Sequence, residues 1–117
     1  MNILIIINDA PYGTEKAYNA LRLGNQMLKD HSGTQVNIFL LADAVSCGVA
    51  GQKTPDGYYN IERMVKLFVT KGGKMKACGT CMDARGINEQ MLQNGVQRSN
   101  MTEFGQWTAE ADKVITF

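Results

Sequence analysis

The chain has 117 residues, 44% hydrophobic and 20% charged, and a formal net charge of +1. That suits one domain, residues 1–117, with a single core, and it excludes a charged field of the kind that grips nucleic acid or an anionic membrane. The longest strongly apolar run, Ile3–Ile7, is far too short to span a bilayer, and "MNILIIIND" lacks the basic start and cleavage site of a signal peptide, so the expected location is the cytoplasm.

"NILIIIN" is a short continuous apolar run and predicts a strand buried on both faces. "DAPYG" breaks the pattern. Thr14 is placed to cap a helix running to about Lys29, with Ala17, Leu21, Gly24 and Leu28 on one face. "DHSG" ends it, and "QVNIFLL" predicts a second buried strand. From Asp43 to Asn60 the chain is glycine-rich, with a short helix expected after Ala42; loops of this length are usually functional or mobile. Ile61, Met64, Val65 and Phe68 mark the next helix, closed by Gly72-Gly73. "KMKAC" predicts a third strand, followed by a helix to about Asn94 with Ala84, Ile87 and Met91 turned inward. "VQRSN" sits where a fourth strand is due, Thr102 opens a last short helix, and "KVITF" closes the chain as a fifth strand.

Strict alternation of strand and helix predicts an α/β fold with a parallel sheet and helices on both faces. Ligands and chemistry then gather outside the carboxyl ends of the strands. Those ends carry "NDAPYG", "ADAVSCG" and "CGTC", so Asp9, Tyr12, Asp43, Cys47, Cys78 and Cys81 share one edge.

The chemistry concentrates in "KMKACGTCMDARG". Three cysteines is an odd number and fits poorly with a secreted disulfide framework. A closed zinc site needs four ligands, and His31 would have to supply the fourth. It follows the first helix, which puts it at the opposite edge, about 20 Å away; no metal is expected. A C-x-x-C at a helix start lowers the first thiol's pKa, which suits dithiol exchange. Both prolines, Pro11 and Pro55, precede the motif, whereas thioredoxin-like folds face the dithiol with a later cis-proline. There is no phosphate-loop frame, no G-x-G-x-x-G and no second histidine for a triad, so no organic cofactor is expected. The bland alternative makes all three cysteines small buried core residues.

"ACGTCMDARG", with "PYGTEKAYNALRLG" before it and "ADKVITF" at the end, resembles the DsrE/DsrF-like (YchN-type) family, which includes sulfur-relay subunits related to TusD. The likeness covers essentially the whole chain. It implies a three-layer α/β/α sandwich with a five-stranded parallel sheet, assembled as homotrimers or homohexamers. It also implies that Cys78, followed by Arg85 and Gly86, is the position that carries a persulfide. Cys81 matches only the C-x-x-C variant of the family.

The residues agree with that role for Cys78. A sulfur acceptor must be an exposed thiolate near positive potential; the following helix N-terminus supplies it, and Gly79 lets the backbone approach a terminal sulfur. Cys81, one turn on, would share the face of Cys78 and is placed to resolve a persulfide. Arg85 at i+7 would lie there too, facing an anion, Asp83 or a neighbouring subunit. Tyr12, Asp9 and Cys47 are supporting candidates. Three readings stay open: a sulfur carrier or sulfurtransferase subunit meeting a donor or acceptor protein, a dithiol redox protein, and an oligomeric small-ligand-binding module with a pocket at the strand ends. Phe104, Trp107, Tyr58 and Tyr59 fall near short or irregular elements, which predicts a homo-oligomer with the Asp43–Asn60 loop near a subunit contact.

Overall fold

The five strands all run parallel. They are β1 (Asn2–Ile7), β2 (Gln35–Leu40), β3 (Lys74–Cys78), β4 (Val96–Ser99) and β5 (Lys113–Thr116), in the spatial order β4-β3-β2-β1-β5. The computed structural model describes residues 1–117. Four α-helices connect them: α1 (Lys16–Asp30), α2 (Ile61–Thr70), α3 (Gly79–Asp83) and α4 (Met101–Glu110).

Topology assigns the helices to layers. The first three crossovers step in one direction across the sheet, so right-handed connection puts α1, α2 and α3 on one face. The fourth returns from β4 to the far side of β1 and puts α4 alone on the other. Neighbouring residues of β2 make both contacts. Ile38 reaches Gly24 of α1, while Phe39 stacks on Phe104 of α4 with ring centroids 4.4 Å apart and meets Trp107 edge-on at 6.2 Å. The core is aliphatic, with Leu4, Ile5, Ile7, Val36, Ile38 and Leu40 fully buried. No helix is long and apolar enough to cross a membrane.

Three local expectations are corrected. Thr14 does not cap α1. Its hydroxyl turns to the Asp9 carboxylate at 3.0 Å and accepts only a long bond from the Lys16 amide, while Glu15 occupies the cap position without a side-chain bond. The helix after Cys78 does not reach Asn94. It stops at Asp83, Gly86 turns the chain at φ +67, and Asn88 caps a separate 3-10 turn, Glu89–Met91. Ile87 is buried as expected, but Ala84 and Met91 are exposed; Met82 fills the inward position instead. Phe104 and Trp107 are not stranded aromatics, since both pack on Phe39 of the chain's own core.

The Asp43–Asn60 loop is pinned by side-chain contacts. It begins with a 3-10 stretch, Ala42–Gly48. Gln52 donates to the carbonyls of Cys47 and Val49 and its amide donates to Glu62, while Tyr59 stacks between Tyr18 and Tyr58 at 4.2 and 4.6 Å.

Candidate functional site

β3 delivers Cys78 to the carboxyl edge of the sheet, and α3 starts at the next residue. Cys78 is therefore the N-cap of α3, and its sulfur accepts the Cys81 amide at 3.4 Å. The Thr80 hydroxyl lies 3.3 Å from the same sulfur. Burial would raise this thiol's pKa, but hydrogen bonds from the Cys81 thiol, the Thr80 hydroxyl and the amides of both residues outweigh it, and the net effect is a lowered pKa. Cys81 moves the other way. Burial raises it and so does sharing its proton with Cys78, against which the Ala42 amide, 3.3 Å from its sulfur, and Arg85 act only in part. The pair thus divides the labour, with Cys78 biased toward the thiolate and Cys81 toward the thiol.

Ala42 reaches Cys81 from a strained backbone. Its φ is +52, and it is the one residue other than glycine in the left-handed region.

Cys78 is less open than a sulfur acceptor was expected to be. Only 4% of its surface is accessible. Access is through a cavity of about 500 Å³ whose walls include Thr80, Glu89, Arg98, Ser99 and Asn100. Parallel pairing makes this wall, because the β3–β4 register sets Cys78 beside Ser99 and brings Arg98 and the start of α4 alongside. Arg98 forms a two-pronged ion pair with Asp83, at 2.8 and 2.9 Å. That hydrogen-bonded pair, with the charges of Glu89 and Cys78, raises the guanidinium's pKa and holds it protonated. The guanidinium lies against Gly79. A Cβ there would sit 2.8 Å from the guanidine carbon, so glycine is needed for the close approach of this cation rather than for an unusual φ.

The remaining predicted residues fall into a second group. Arg85 does not share the face of Cys78, because α3 ends before it. It donates to Asp43 at 2.9 Å and to the Cys81 carbonyl at 3.0 Å, while Asp83 is taken by Arg98. Arg85 lines a broader, more apolar cavity with Pro11, Tyr12, Asp43, Gln52 and Met91. Tyr12 donates to Gln52 at 3.1 Å and accepts the Ile61 amide at 3.0 Å, which ties the long loop to α2. Asp9 receives Thr14, and its carbonyl receives the fully buried Cys47 thiol at 3.8 Å. Burial pushes that thiol to about 12.

Thr80, Arg98, Ser99 and Asn100 were missed from the sequence. Thr80 was readable, since it stands inside the C-x-x-C. Arg98 gave no local signal; only strand register places it.

A model of the DsrE/DsrF-like family matches residues 1–117. Protein YchN of Escherichia coli K12 is 42% identical over 115 residues, which cover 98% of this chain and 97% of that protein. An uncharacterized protein of Methanocaldococcus jannaschii is 37% identical over 117 residues, the full length of both. The crystal structure of the E. coli ychN protein superposes with a TM-score of 0.94 at 41% identity, covering 99% of this chain and 98% of that one. A Methanobacterium thermoautotrophicum protein of unknown function, 14% identical, superposes at 0.78 over 99% and 97%, a likeness of fold alone.

Proposed function

This chain belongs to the DsrE/DsrF-like family, and from that premise we propose that it is a small sulfur carrier or sulfurtransferase subunit acting in the cytoplasm, with Cys78 accepting sulfane sulfur as a persulfide. One observation carries the reading. Cys78 is the N-cap of α3 and is hydrogen-bonded toward its thiolate form by Cys81 and Thr80, at the floor of a cavity. A thiolate is the species that attacks sulfane sulfur, and the cavity walls shield the labile product. The reading needs no metal or organic cofactor.

The Cys78–Cys81 contact favours a second step. Once Cys78 carries a persulfide, a Cys81 thiolate attacks its inner sulfur. A Cys78–Cys81 disulfide forms and hydrosulfide leaves, so oxidation of two thiols matches reduction of the sulfane sulfur. In that branch the protein behaves as a dithiol and needs a reducing partner to reset.

Intact mass after incubation with inorganic polysulfide tests the carrier. The expected result is one added sulfur atom, removed by dithiothreitol and absent from Cys78→Ser. Cys81→Ser should hold the sulfur longer if resolution operates. No adduct at any pH overturns the carrier and leaves the binding-module reading. We propose in addition that the protein assembles with itself as a trimer or hexamer and passes sulfur to or from a partner protein.

A further inference from the structure

We propose that the donor entering the Cys78 cavity is a small zwitterionic persulfide of amino-acid or short-peptide type, its carboxylate held by Arg98 and its ammonium by Glu89. The inference rests on the carrier reading and adds what the site takes.

Size comes first. Cys78 is only 4% accessible and is reached through a cavity of about 500 Å³. That volume suits a small molecule. Charge comes second. Arg98 spends two of its five N–H bonds on Asp83, and the other three meet no acceptor in the fold. The Asp83 pair fixes the plane of the guanidinium, so those donors are pre-oriented. Glu89 lines the same cavity, close enough for its charge to act on Arg98, and its carboxylate makes no direct hydrogen bond or ion pair. One cavity therefore brings together a cation with unused donors, a carboxylate without a hydrogen-bond partner and a nucleophile. A purely anionic donor would meet Glu89 as a like charge, and a purely cationic one would meet Arg98. A donor carrying both charges satisfies both walls.

The step balances without an outside redox partner. The Cys78 thiolate attacks the outer sulfur of R–S–SH. A Cys78–sulfur bond forms, the donor's S–S bond breaks, and the electron pair leaves on R–S⁻, which takes a proton from water. The outer sulfur keeps its hydrogen and its oxidation state.

The test compares four persulfides by initial rate of sulfur loading, read from intact mass. They are those of cysteine (both charges), 3-mercaptopropionate (carboxylate only), cysteamine (ammonium only) and mercaptoethanol (neutral). Cysteine persulfide should load roughly tenfold faster than the neutral one, the scale of one charge-assisted hydrogen bond. Arg98→Gln should erase the advantage of the carboxylate, and Glu89→Gln that of the ammonium. The readout is the ratio of rates between donors within each variant, and a circular dichroism spectrum and melting temperature close to the parent's show that both are folded. Equal parent rates from all four donors overturn the zwitterion inference and leave the carrier intact. No loading from any donor overturns the carrier itself.

Discussion

Three thiols in one small chain differ in what surrounds their sulfurs, and the difference is measurable. With limiting iodoacetamide at neutral pH, peptide mapping should find Cys78 alkylated first, Cys81 later and Cys47 last. Hydrogen bonds to its sulfur lower the Cys78 pKa, while Cys47 is fully buried and pushed up to about 12. The labelling rate of Cys78 should fall as pH drops through its lowered pKa. Thr80→Val removes one donor to the sulfur, so the midpoint should move upward and the rate at neutral pH drop roughly three- to tenfold. Equal labelling of all three cysteines would remove the thiolate argument. Gly79→Ala is a sharper probe. Its Cβ meets the tip of a flexible side chain, so thermal stability should change by no more than about 1 kcal/mol. The same Cβ displaces Arg98, and the preference for carboxylate-bearing persulfides should vanish. At this scale the sequence revealed what is contiguous. Cys78, Gly79 and Cys81 stand together in four residues, whereas Arg98 lies twenty positions on and joins them only through the Cys78–Ser99 register.

Among the elements, α4 stands out because it covers one face of the sheet unaided, and its hold on that face is aromatic. Phe39→Ala should cost about 3–5 kcal/mol, and Phe104→Ala, at a half-buried position, about 1–3 kcal/mol, measured by urea unfolding. A small loss for Phe39→Ala would mean that α4 is not the cover of that face. The alternation of strands and helices was legible because buried parallel strands are continuous apolar runs and helices show a 3.6-residue period. α3 was not legible as a short helix. Ala84, Ile87 and Met91 stand at helical spacing, yet Gly86 adopts a left-handed conformation and Asn88 begins a new turn, so only Ile87 uses the pattern. Arg85 was misplaced for the same reason, since a face argument needs the helix to continue.

For the whole molecule the first question is copy number. Light scattering at micromolar concentration should give a trimer or hexamer of the 12.9 kDa chain. A clean monomer would overturn assembly. The aromatic ground for that expectation has narrowed to Tyr58, half exposed, beside apolar residues such as Met101 and Val114 that also face solvent. The second question concerns the order in which the chain is made. β1 is an interior strand, with β2 on one side and the edge strand β5 on the other, and the Asn2 amide bonds to Asp112 across 110 positions. Deleting Lys113–Phe117 should therefore drive the protein into the insoluble fraction rather than merely weaken it; a soluble truncated chain with the parent's far-ultraviolet spectrum would show otherwise. During synthesis the ribosome releases the apolar strand β1 long before its second neighbour, β5. Until β5 emerges, that strand carries an unpaired edge open to any other nascent chain, so the hazard to this protein in the cell is greatest in the interval between the making of β1 and the making of β5.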